Sequence, residues 1–88
     1  MVSFTAKIVD PLGLHARPAS KIAQIAAKFP AEIKIITSDN RIANAKSIMN
    51  IMSLGIKAGS TLIVEVSGEN ESAVLETIKK TMIENNLI

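Results

Sequence analysis

The chain holds a single histidine, and the residues around it are poor choices for the job their position demands. Gly13-Leu14-His15-Ala16-Arg17-Pro18 leads into an amphipathic run, which puts His15 at the N-cap of a helix. Serine, threonine, aspartate or asparagine caps better there. Arg17 falls in the first turn, where its charge opposes the positive end of the helix dipole. Pro18 is tolerated, because first-turn N–H groups have no helical acceptor. Both mismatches become favourable if an anion visits the helix start. The N–H groups of Ala16 and Arg17 would point at it, and the guanidinium would add charge-assisted bonds. Gly13 lets the backbone bend closely around such a site. A neutral imidazole is a nucleophile near pH 7. The chemistry to which these residues point is transient phosphorylation of His15 itself.

Other chemistries are poorly supplied. There is no cysteine, so disulfide scaffolds, thiolate nucleophiles and cysteine-type zinc sites are excluded. One histidine and two aspartates lack the ligands for a dedicated metal site, and none is expected; nor is a cofactor. A Ser-His-Asp triad can be drawn with Ser20 and Asp10, but nothing in the spacing supports it. The formal charge is only +2, the one adjacent basic pair is Lys79-Lys80, and neither tyrosine nor tryptophan is present. Nucleic acid is therefore not an expected partner. No apolar run approaches the ~18 residues of a bilayer span. Lys7 and Asp10 interrupt the N-terminal apolar residues, so no signal peptide is read there, and a cytoplasmic protein is expected without membrane contact.

The elements that must position His15 follow from periodicity. A chain of 88 residues, 48% hydrophobic and 20% charged, supports one globular domain, residues 1–88, with its site on the rim of one core. Residues 2–9 alternate as a strand, with Phe4, Ala6 and Ile8 on one face. Residues 10–13 turn. A helix over 16–28 carries Ala19, Ile22, Ala23, Ala26 and Phe29 inward, and Pro30 stops it. Strands are expected at 31–37 and 41–43, joined by a turn at 38–40. A short helix over 48–53 has Ser47 as N-cap and Gly55 at its end. A strand at 60–67 and a helix from Asn70 to about 84 complete the chain. The final helix turns Val74, Leu75, Ile78 and Met82 to its inner face. The order β-α-β-β-α-β-α predicts an α+β fold, a two-layer sandwich with an antiparallel sheet covered on one face by helices.

Two segments together resemble a known family. Asp10-Pro11-Leu12-Gly13-Leu14-His15-Ala16-Arg17-Pro18-Ala19 is similar to the active-site signature of HPr, the histidine-containing phosphocarriers of the bacterial phosphoenolpyruvate-dependent sugar phosphotransferase system. Lys46-Ser47-Ile48-Met49-Asn50-Ile51-Met52-Ser53-Leu54-Gly55 is similar to the family's second signature. The resemblance covers essentially the whole chain. It implies an open-faced sandwich with strand order 1-4-2-3. It also implies a carrier and not an enzyme. Enzyme I would place phosphate on Nδ1 of His15, with Arg17 stabilising its charge and the Ala16 N–H bonding it. The carrier would pass it to sugar-specific IIA proteins for sugar uptake. Asn50 departs from the glycine common at that position.

The second segment has more apolar side chains than one helix face can bury. Ile51 is read as core, whereas Ile48, Met49 and Met52 are read as a contact surface for partners, with Ser20, Gln24 and Lys28 as a polar rim. The resemblance further implies that Ser47 is a regulatory site for an HPr kinase/phosphorylase. A monomer is expected. The competing reading is a regulatory protein-binding module whose His15 never carries phosphate; a paralogue in a nitrogen-related relay is a third.

Overall fold

Alternation of apolar and polar residues makes strands here, and the alternation survives in three dimensions. A computed structural model describes residues 1–88. Its elements are β1 (Val2–Lys7), α1 (Ala16–Ala26), β2 (Glu32–Thr37), β3 (Ile42–Asn44), α2 (Ile48–Ser53), β4 (Thr61–Ser67) and α3 (Glu71–Glu84). The four strands form one antiparallel sheet in the order β1-β4-β2-β3. The expected α+β sandwich and its strand order are both present.

Register stacks the inward residues in rows. Val2, Val66 and Ile33 lie abreast, as do Phe4, Val64 and Ile35, and Ala43 extends the second row. Helices cover this face: α1 buries Pro18, Ala19, Ile22, Ala23 and Ala26, and α3 buries Val74, Ile78 and Met82. Side chains from both layers join in one apolar core. The opposite face of the sheet carries Ser3, Glu65, Lys34 and Asn44 in one row and Thr5, Ile63, Ile36 and Ile42 in the next.

Several boundaries differ from those expected, each for a local reason. α1 ends at Ala26, two residues before Lys28. The chain tightens into three-residue turns, Lys28 N–H to Ile25 O and Phe29 N–H to Ala26 O, as it approaches Pro30. β1 ends at Lys7, because Val9 turns away to donate to Leu87 O at 2.8 Å. Asn70 does occupy the N-cap of α3, but at φ +56° and with no side-chain cap bond. The neighbouring Glu71 carboxylate instead ties down the turn before the helix, accepting the Gly68 N–H and the terminal ammonium of Met1. Those bonds, the ammonium's first, hold Glu71 below the usual carboxylate range.

The loop before α1 is pinned against the segment after α2. Gly13 has φ +69°, and a Cβ there would lie 2.5 Å from the Ile56 carbonyl oxygen and 2.8 Å from Lys57 Cα. The next residue, Leu14, donates its N–H to that same oxygen at 2.9 Å. Gly55 also has positive φ, at +58°, but a Cβ there meets nothing within 4 Å. The two glycines therefore separate backbone strain from collision. Gly13→Ala should destabilise the fold by about 2–4 kcal/mol, against about 1 kcal/mol for Gly55→Ala. Urea unfolding of the two variants measures the difference, and equal losses would refute the close-packing account.

Candidate functional site

His15 lies at the N-cap of α1 with φ −86° and ψ −174°, and its side chain makes no cap bond. Its carbonyl accepts the Ala19 N–H at 3.0 Å, which starts the helix. The N–H groups of Ala16 and Arg17 have no acceptor in the chain. No acidic residue sits in the first turn. Arg17 is exposed, and its guanidinium makes neither a hydrogen bond nor an ion pair within the molecule. The helix start thus presents unsatisfied donors and an uncompensated cation in one place, an arrangement suited to an anion.

The imidazole is not adrift. Its Nε2 lies 3.3 Å from Oδ2 of Asp10, and Oδ1 of the same carboxylate accepts the Leu12 N–H at 2.9 Å. The Asp10 carbonyl also accepts the Gly13 N–H. Asp10 therefore shapes the loop and orients the ring together. A neutral ring that carries its proton on Nε2 would donate it to this carboxylate and keep its lone pair on Nδ1. The His15 side chain is 32% exposed, enough for an incoming group to reach it. A shallow cleft of about 330 Å³ opens beside the ring, lined also by Leu12, Arg17, Asn85 and Asn86.

Asp10, Asn85 and Asn86 are additions to the site read from sequence. Asp10 stood in that reading as a turn residue at the head of the signature and as a member of a doubtful triad, with no role on the imidazole. The triad does not form, since the Ser20 hydroxyl is engaged by the Gln24 amide at 3.5 Å, apart from the His15–Asp10 pair. Asn85 and Asn86 follow α3, and no local pattern signals that the fold brings this turn to His15.

The second segment behaves as its apolar excess predicts. Ser47 caps α2, accepting the Asn50 N–H at 3.2 Å. Ile51 is fully buried and is the only buried residue of α2. Met49 is 82% exposed, Met52 45% and Ile48 40%. Leu12, in the cleft beside His15, is exposed too. α2 packs against α1 and β3. Of the expected polar rim, Ser20 and Gln24 sit on α1 and bond each other, while Lys28 lies beyond the helix end.

Comparison with known proteins agrees with the geometry. The family model described as "PTS HPr component phosphorylation site" matches residues 2–84. The phosphocarrier protein HPr of Mycoplasma capricolum is 43% identical over 88 residues, covering all of this chain and 98% of the relative. A solved histidine-containing phosphocarrier protein from Mycoplasma superposes with a TM-score of 0.96 at 42% identity, over 99% of this chain and 98% of that one. An HPr dimer from Thermoanaerobacter tengcongensis superposes at 0.71 with 39% identity, covering 97% of this chain and 95% of that one. The relatives therefore do not favour a monomer over a dimer. No helix is long and apolar enough to cross a membrane. In fold, in length and in sequence along nearly its whole extent, the chain belongs to the HPr family of phosphocarrier proteins.

Proposed function

We propose that the chain accepts a phosphoryl group on Nδ1 of His15 from phosphorylated enzyme I and yields it to sugar-specific IIA proteins. The observation that carries this reading is the His15–Asp10 pair at 3.3 Å, which occupies Nε2 and leaves Nδ1 as the nucleophilic nitrogen. The Nδ1 lone pair attacks phosphorus, a P–N bond forms, and the bond from phosphorus to the donor breaks with its electron pair returning to the donor group. Positive charge that develops on the His15 ring is met by Asp10. Negative charge on the phosphoryl oxygens is met by Arg17 and by the N–H groups of Ala16 and Arg17. Asp10 and the helix-start N–H groups are already in place in the free chain, whereas the exposed, unpaired Arg17 guanidinium closes on the phosphoryl group as it arrives.

The exposed face of α2 supplies the docking surface in this reading. Ile48, Met49 and Met52 all keep part of their side chains in water, Met49 most of all, and adaptable methionines suit successive contacts with enzyme I and IIA proteins. Ser20 and Gln24 form the polar edge on α1. Lys28, past the helix end, is a weaker member of that edge. Ser47 is the regulatory position. A phosphate on its hydroxyl stays at the α2 N-terminus, where the dipole accommodates it, and adds about −1.5 to −2 charge next to Ile48. An apolar partner surface that also carries acidic groups is then repelled. A dedicated HPr kinase/phosphorylase would be the modifying enzyme.

Incubation with phosphoenolpyruvate and enzyme I tests the central step. Acid-labile, base-stable label should appear on the wild type and be absent from His15→Ala. No label on the folded wild type would leave the protein-binding module as the better reading. Arg17→Ala should slow transfer on the order of ten- to a hundredfold without abolishing it. Asp10→Asn should slow it on the order of tenfold, because the ring loses its orienting carboxylate.

Two further substitutions test docking and regulation. Met52→Asp should raise the KM of enzyme I for the chain with less than about 1 kcal/mol lost in urea unfolding, since it puts a charge on an exposed apolar contact. Unfolding of that variant would make Met52 a packing residue. Ser47→Asp should lower the rate of His15 phosphorylation, and Ser47→Ala should leave it intact. Equal rates in Ser47→Asp and wild type would reduce Ser47 to a helix cap.

A further inference from the structure

The only buried polar residue in the chain is Thr37, at the end of β2, and its hydroxyl begins a chain of bonds that ends on α2. That hydroxyl donates to Oδ1 of Asp39 and accepts the Arg41 N–H at 2.9 Å. Arg41 Nε donates to both Asp39 carboxylate oxygens, at 3.1 and 3.0 Å. Its Nη1 then reaches across to Leu54 O at 2.8 Å. Bonds from Thr37 first, and from Arg41 next, hold the Asp39 carboxyl below its usual range, so the orienting partner stays ionised.

Leu54 is the C-cap of α2, and its carbonyl is one of the groups a helix end leaves unpaired. A six-residue helix is too short to hold itself together. α2 fully buries only Ile51 of its own side chains, so the buried Leu54 that follows and the guanidinium on its carbonyl add to a small set of contacts that place it. Two residues beyond Leu54, the Ile56 carbonyl accepts the Leu14 N–H, next to His15. One short strap therefore joins the end of the docking helix to the loop that presents the imidazole, and Arg41 grips its upstream end.

We propose that Arg41 is a positioning residue for phosphoryl transfer: by holding Leu54 O it sets both the pose of the α2 docking face and the strap that braces the His15 loop. The Arg41–Asp39 ion pair is exposed to solvent and by itself contributes little stability. Its effect is on orientation, because the carboxylate fixes the plane of the guanidinium so that Nη1 meets the carbonyl. This inference rests on the carrier reading of His15 and α2.

The test compares wild type, Arg41→Gln, Arg41→Lys and Asp39→Asn in two measurements. The first is the KM and kcat of enzyme I for phosphorylating the chain. The second is amide exchange at Leu14, Ile51 and Leu54, with Val64 in the central strand as reference. Arg41→Gln should raise KM on the order of three- to tenfold with kcat within about twofold. It should speed exchange at the three reporters on the order of tenfold while Val64 is unchanged. Arg41→Lys should recover part of both effects, since an ammonium reaches the carbonyl but cannot fork onto Asp39. Asp39→Asn should give a smaller shift in the same direction. Unchanged exchange at Leu54, unchanged KM, or faster exchange at Val64 to the same degree would each overturn the proposal. A wild type that takes no phosphate defeats the carrier reading and this positioning role with it, and the exchange pattern then shows whether the anchor alone survives.

Discussion

The backbone at Gly13 runs so close to the Ile56 carbonyl that no side chain fits between them, and the placement of His15 depends on that approach. The contact is backbone to backbone, so neither partner can relieve a collision by changing rotamer. It is also bonded, through Leu14 N–H, so the loop is held as well as admitted. On the other side Asp10 closes the loop with its carbonyl and both carboxylate oxygens. The imidazole is therefore set between two fixed points, the strap after α2 and the turn after β1. Its mobility on the exposed rim is restricted without burying it, which is what a group that must be reached from solvent requires.

The unfilled donors at the α1 N-terminus follow from the same arrangement. An ordinary cap residue at position 15 would turn its oxygen back onto the Arg17 N–H and consume one of the two donors. Histidine directs its ring outward to Asp10 instead. The helix start is left less well satisfied than local stability favours, and an anion is the group that would complete it.

Much of this was legible in sequence, and the reason lies in what kind of interaction is involved. Strand alternation, the stop at Pro30, the Ser47 cap and the inner face of α3 are short-range effects of residue type, and they appear where expected. The His15 anomaly was legible because it violates a capping preference that acts within three residues. The Asp10 bond was not, although Asp10 is only five residues away. Its direction depends on the φ of Gly13, and thus on a segment more than 40 positions later. Asn85, Asn86 and the Arg41 bond to Leu54 are likewise products of tertiary closure, with no periodic or local signal. The exposure of Ile48, Met49 and Met52 was inferable because six residues cannot turn four large apolar side chains inward at once.

The strand order carries a consequence for how the molecule comes into being. Only β2 and β3 are neighbours in both sequence and sheet; β1 and β2 each pair with β4. The loop-closure entropy of both long-range pairings must be met before their contacts form, which slows folding relative to a helical bundle of this size. During synthesis the first 60 residues contain His15, Arg17 and α2 but lack the central strand that joins the sheet. The Val9–Leu87 bond beside Asp10 closes later still. A chain that has not yet reached β4 therefore displays the histidine without the sheet that positions it, and a competent site must wait for the central strand to pair.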